Sequence, residues 1–133
     1  MLDQKLIDEI LSQCEQQELN SIWNFAETVG HDFTTRRQAF LWILERLLQS
    51  GRIKLKHIPT QQFLSGSLKE QIALFDAFLP KTALEADSAL SGLPEFAADI
   101  GKGPGMQYWF FDTNCPAGIA WLIEMPDGKH QWH

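Results

Sequence analysis

An α+β fold is predicted for these 133 residues, read as a single domain spanning 1–133, with N-terminal helices packed on one face of a small antiparallel sheet and a C-terminal β-meander. Three observations carry the prediction. Apolar residues recur at helical spacing through the first third of the chain, strict alternation appears at Arg52–Lys56, and aromatic strand-like runs separated by turn residues follow residue 105. Nine Phe and five Trp give such a chain enough apolar mass to bury a core, which excludes a disordered protein.

The elements follow in order. Leu6, Ile7, Ile10, Leu11 and Cys14 mark a helix over about residues 3–16, with Asp3 as its N-cap. After the polar break Gln16-Gln17-Glu18, the residues Leu19, Ile22, Trp23, Ala26 and Val29 restart the period, and Gly30 is placed to end this second helix in a left-handed conformation. Thr35 and Gln38 have capping-box spacing, and the apolar run Ala39–Leu44 predicts a third helix buried on every side as the spine of the core. Ser50-Gly51 stops it. Arg52-Ile53-Lys54-Leu55-Lys56 then reads as a half-buried strand, placed at a sheet edge because lysines discourage edge pairing.

Ser67 and Glu70 form another capping box, opening a helix that carries Ile72, Leu74, Phe75, Phe78 and Leu79 and stops before Pro80. From Lys81 to Gly105 the composition shifts to Ala, Ser, Gly, Asp and Pro. Short helical pieces are expected at Thr82–Glu85 and from Pro94, and Gly101-Lys102-Gly103-Pro104-Gly105 reads as a flexible connector. Met106–Asp112 alternates and predicts a strand aromatic on both faces. Thr113–Pro116 makes a turn, Ala117–Ile123 a strand, and Pro126-Asp127-Gly128 a hairpin into a short strand at His130–Trp132.

Composition limits function. Seventeen acidic against eleven basic residues give a net charge of −6, which opposes generic attraction to nucleic acid or anionic lipid and favours a basic partner. The longest apolar run is too short to span a bilayer, acids interrupt the N-terminal apolar pairs, and two isolated cysteines suit reduced thiols, so a cytoplasmic protein without membrane association is expected. Charge is also segregated along the chain: residues 36–56 hold Arg36, Arg37, Arg46, Arg52, Lys54 and Lys56 against Glu45 alone. A basic strand after a helix resembles in outline the wing of a winged-helix DNA reader, but the apolar third helix leaves no recognition face.

No catalytic constellation stands out, and no enzyme activity or cofactor is expected. His130 and His133 lie three apart without the further ligands that a metal site needs, and His31 and His57 are isolated in sequence. Cys115, before Pro116 in a turn, would serve as a nucleophile only beside a histidine base. The glycine-rich 101–105 segment lacks the Lys-Ser/Thr helix start of a phosphate loop.

The blocks Gly51-Arg52-Ile53-Lys54-Leu55, Gly66-Ser67-Leu68-Lys69-Glu70-Gln71-Ile72-Ala73-Leu74-Phe75, Trp109-Phe110-Phe111-Asp112 and Cys115-Pro116-Ala117-Gly118-Ile119-Ala120-Trp121 together resemble a bacterial domain-of-unknown-function family, the one numbered 596, over roughly residues 35–132. The resemblance implies a cytoplasmic protein whose relatives can sit near contact-dependent toxin or adhesin genes, and hence an immunity role, with no functional residues to carry over. The expected function is therefore non-enzymatic binding of a protein partner, a basic toxin domain, by a monomer or weak homodimer. Glu85, Asp87, Glu95 and Asp99 in the 81–105 segment are the contact carboxylates this reading selects, and a nucleic-acid-associated regulator using segment 36–56 is the alternative.

Overall fold

The computed structural model describes residues 4–112 and 115–132. The proposed Asp3 cap, the Thr113-Asn114 part of the turn and His133 lie outside them. The chain runs α1 (Gln4–Cys14), α2 (Leu19–Ala26), α3 (Phe33–Gln49), β1 (Ile53–His57), β2 (Gln62–Phe63), α4 (Leu68–Phe78), α5 (Ala83–Ala86), 3₁₀ turns at Ser88–Leu90 and Pro94–Phe96, α6 (Met106–Trp109), β3 (Gly118–Glu124) and β4 (His130–Trp132). The strands form one antiparallel sheet in the order β2-β1-β3-β4. The α+β class and the N-terminal placement of helices stand as predicted.

α3 is the spine. Its Phe40, Ile43, Leu44 and Leu47 are wholly buried, and burying one such side chain stabilises the fold by about 1.5–3 kcal/mol. Phe40 meets rings from three other elements: Trp23 of α2 at 5.9 Å, Phe75 of α4 at 6.5 Å and Phe110, just after α6, at 5.4 Å between centroids. The N-cap of α3 is Asp32 rather than the Thr35–Gln38 box: its carboxylate accepts from the Thr35 backbone N–H at 3.0 Å and from the Thr35 hydroxyl at 2.9 Å. These bonds hold the Asp32 carboxyl below its ordinary range. α2 ends at Ala26, and Gly30 is not left-handed. A side chain there would instead strike Thr35, whose Cγ2 lies 2.3 Å from the Cβ position. Gly51, at φ +78°, does close α3 as predicted.

The edge placement of Arg52–Lys56 is corrected. β1 lies inside the sheet, between β2 and β3, with Ile53 opposite Trp121 and Leu55 opposite Ile119 facing the helices. Lys54, opposite Ala120, is on the outer face. Its ammonium stands 4.8 Å from the Phe63 ring centroid and 4.7 Å from that of Trp132, and these two rings from β2 and β4 touch edge to face at 5.9 Å. The sheet therefore curls until its two outer strands meet over the lysine, which leaves Ala120 buried on that face. The Trp121 indole N–H donates to the Gln17 carbonyl at 2.8 Å and ties β3 to the α1–α2 loop.

A second correction concerns Met106–Asp112, which is a single turn of helix and not a strand. The C-terminal strands are thus a β3–β4 hairpin, turned at Gly128, rather than a three-stranded meander. A third concerns the glycine segment, whose amides are fixed. The Asp87 carboxylate, fully buried, accepts from the backbone N–H groups of Gly101 and Gly103 at 2.9 Å each and of Gly105 at 2.6 Å. Three charge-assisted bonds satisfy a carboxylate removed from water. Gly105 packs so closely on α5 that an added Cβ would lie 1.9 Å from the Ala86 carbonyl oxygen.

This arrangement has a measurable consequence. Gly105→Ala should lower unfolding free energy by about 2–4 kcal/mol, because backbone has to move apart and the Asp87 bonds lengthen. Gly92→Ala, where nothing lies within 4 Å of the new Cβ, should change it by less than about 0.5 kcal/mol. Urea denaturation of both variants followed by tryptophan emission checks the contrast, and equal midpoints would remove the clamp from the account.

Candidate functional site

The surface around α4, α5 and α6 carries the largest exposed rings. The end of α4 is pinned by Arg37 of α3, whose guanidinium donates to Asp76 Oδ1 at 2.8 Å and to the carbonyls of Asp76, Leu79 and Pro80 at 2.6, 3.1 and 3.0 Å. A cation on the last carbonyls of a helix satisfies groups that have no intrahelical donor. α4 itself begins at the predicted Ser67–Glu70 capping box, which is present in both directions. α5 is capped by Thr82, whose hydroxyl accepts from the Glu85 N–H at 3.0 Å, while the Glu85 carboxylate accepts from the Lys81 N–H at 3.2 Å. α6 is held from behind by the Asp87 bonds to Gly101, Gly103 and Gly105.

Between these elements runs a groove of about 310 Å³ lined by Phe78, Glu85, Leu90, Tyr108, Trp109 and Asp112, among others. Phe78 is 53% and Tyr108 56% exposed, so the groove presents two large rings to solvent beside two carboxylates. Phe96 of the second 3₁₀ turn steadies Tyr108 in an edge contact at 6.1 Å. Phe111, 68% exposed, follows on the far side of α6. Consecutive residues of one helical turn point in different directions, so Trp109 and Phe110 enter the core while Tyr108 and Phe111 remain outside.

The four carboxylates selected from sequence are not brought together. Glu85 lines the groove. Glu95 is exposed on the second 3₁₀ turn, Asp99 is half-buried, and neither borders the groove. Asp87 is inside the protein with its oxygens occupied by amides, so it is scaffold and presents no charge to a partner. Phe78, Tyr108, Phe111 and Asp112 are not in that selection; a period-two reading of 106–112 sets Tyr108 with Phe110 and Trp109 with Phe111, either pair a candidate docking face, whereas it is Tyr108 and Phe111 that face out.

The basic segment is largely used internally. Arg36 lies over the Trp23 ring at 4.5 Å and donates to the Trp23 carbonyl at 2.9 Å; burial lowers its pKa, against an opposing pull from Glu27. Arg37 holds α4, Arg52 pairs with Glu15, Arg46 lies over Trp42 at 4.8 Å and Lys54 sits between two rings. Among the described residues no group of three or more His, Cys, Asp or Glu is placed to hold a metal ion. No helix among them is long and apolar enough to cross a membrane.

Cys115 is half-buried, and its thiol donates to the Ala117 carbonyl with sulfur and oxygen 3.3 Å apart. Burial is the main cause that pushes its pKa up to about 11, with the Asp112 charge adding to the rise and the Ala117 contact opposing it. Cys14 is likewise raised by burial. Burial thus favours the protonated form of both thiols, and Cys115 lines one cleft with His57.

Helices packed on an antiparallel sheet, with exposed rings on α4 and around α6, define a small α+β protein. A family model described as a protein of unknown function, DUF596, matches residues 48–133, and the chain belongs to that family. A solved structure described as an uncharacterised protein conserved in bacteria, from Neisseria meningitidis, is similar over 96% of this chain and 90% of that one, with 21% sequence identity and a TM-score of 0.62. At that identity the likeness is one of fold. The comparison with curated proteins returned no match.

The thiol environment makes a pH prediction. At pH 8 a Cys115 titrating near 11 is thiolate in only about one molecule in a thousand, so iodoacetamide should modify it far more slowly than a free thiol. The rate should climb through about pH 11. Because the folded state favours the protonated thiol, that contribution to stability is complete below the free-thiol pKa and falls away as pH rises toward the folded value. Mass spectrometry of the alkylated native chain at stepped pH tests this, and fast labelling of Cys115 at pH 7 would contradict it.

Proposed function

We propose that this chain is a non-enzymatic cytoplasmic binding protein that docks a basic protein partner in the groove between α4, α5 and α6, acting as an immunity protein that covers the active surface of a contact-dependent toxin. The observation that carries the reading is the pairing of exposed rings with carboxylates in one groove: Phe78 and Tyr108 beside Glu85 and Asp112. Aromatic anchors supply most of the binding energy at protein interfaces, and flanking charge steers the encounter. The walls are rigid before any partner arrives, since Arg37 fixes α4 and Asp87 fixes the approach to α6. A preformed surface loses little entropy on binding. Sixteen acidic against five basic residues outside segment 36–56 give the charge that a basic toxin domain would meet. The nucleic-acid reading draws less support, because the cations it needs pack on rings, carbonyls and carboxylates of the chain itself.

Co-expression with the product of the neighbouring large open reading frame in the native host, followed by affinity capture at moderate salt, tests the proposal. One stoichiometric polypeptide should be retained. Phe78→Ala and Tyr108→Ala should each weaken it by about tenfold or more, and Glu85→Lys should slow association and flatten its salt dependence. Circular dichroism confirms that the variants fold. Undiminished binding by all three would take the groove out of the interface.

A further inference from the structure

A second concavity, of about 470 Å³, opens on the other side of Asp112, between the β1–β2 turn and the segment around Cys115. Its volume falls within the range of small-molecule sites. The walls are apolar, formed by Ile58, Pro59, Phe110 and Pro116. Ile58 reaches its place because residue 118 is glycine: an added Cβ would lie 2.5 Å from Ile58 Cδ1, so only a bare backbone lets that side chain lean over β3.

Two carboxylates border this apolar chamber, Glu18 from the start of α2 and Asp112 from the end of the α6 segment. Glu18 occupies the N-cap position of α2 yet accepts no capping bond there, and among the described residues it forms no ion pair. No lysine or arginine is among the described residues that line the cleft. His57, which does, is hydrogen-bonded through Nδ1 to the Thr60 hydroxyl at 2.9 Å. The cleft thus sets two carboxylates in a largely apolar lining, to which Phe111 adds a ring.

We propose that this cleft binds a small organic cation, an ammonium or guanidinium head on an apolar body, with the head toward Glu18 and Asp112 and the body against Ile58 and Phe110. The cleft shares Asp112 with the partner groove, but Phe78, Tyr108 and Glu85 do not line it, so substitutions at Glu18 and Ile58 test this site apart from partner docking.

The test uses the full folded chain and two probes of equal length and opposite charge, 4-phenylbutylamine and 4-phenylbutyrate, titrated against ¹⁵N-labelled protein by NMR. The amine should give saturable shifts centred on Glu18, Ile58, Phe110 and Ala117, and the acid should bind at least about fivefold more weakly. Glu18→Gln should weaken the amine several-fold without weakening the acid, and Ile58→Trp, which fills the chamber, should remove both. Equal binding of the two probes, shifts centred on Phe78 and Tyr108, an amine affinity unmoved by Glu18→Gln, or no saturable shift with millimolar amine would each overturn the proposal.

Discussion

Everything in this molecule is arranged about one ring. Phe40 sits midway along α3 and is touched by Trp23, Phe75 and Phe110, which belong to three segments spread across most of the chain. Close-packed rings leave few ways to satisfy several neighbours at once, and tilted or edge contacts of this kind fix orientation as well as distance. The position of α6 follows from it, because Phe110 is drawn inward and the adjoining Tyr108 and Phe111 are left facing water. The exposed aromatic surface is a by-product of how the core is filled.

Two polar clamps convert that packing into a rigid site. Arg37 reaches from the spine to the last carbonyls of α4, and Asp87 collects three glycine amides that lead into α6. Both are charged groups hydrogen-bonded to backbone, and Arg37 pairs with the Asp76 carboxylate as well; charge-assisted bonds of this kind offset removal from water. A segment rich in glycine would otherwise cost much entropy to order. Here its lack of side chains is what allows the carboxylate and the Ala86 carbonyl to approach.

What could be read from the sequence was what depends on neighbours. The Ser67–Glu70 box, the stop at Gly51, the burial of Phe40, Ile43 and Leu44 and the β3–β4 hairpin are set by residues within a few positions of one another, and each is found in the fold, whereas Leu41 and Trp42 are only half-buried, so α3 is not enclosed on every side. Met106–Asp112 went the other way because its alternation of rings has the period of a strand, while the bonds from Tyr108 and Trp109 back to Gly105 are those of a turn. Tertiary demand for Trp109 and Phe110 in the core overrode the pattern. Of the candidate site, Glu85 and the aromatic character of 106–112 are legible in the sequence, but not which of those rings face out. Asp87 looked like one more surface acid, since its partners lie fourteen to eighteen residues ahead, and the cations of 36–56 looked like a patch because the rings and carbonyls that engage them come from elsewhere in the chain.

The inner position of β1 has a kinetic side. Its partner β2 begins five residues after it ends, whereas β3 begins only at Gly118, so one flank of β1 is paired long before the other can be. Contacts between distant segments form late because a long loop has to close first. A β1 flank without β3 would present bare backbone N–H and C=O groups, the template on which chains associate wrongly. Lys54 and Lys56 alternate with Ile53 and Leu55, and charge along a strand disfavours such pairing. In the folded sheet the same Lys54 is the cation over which the outer strands meet.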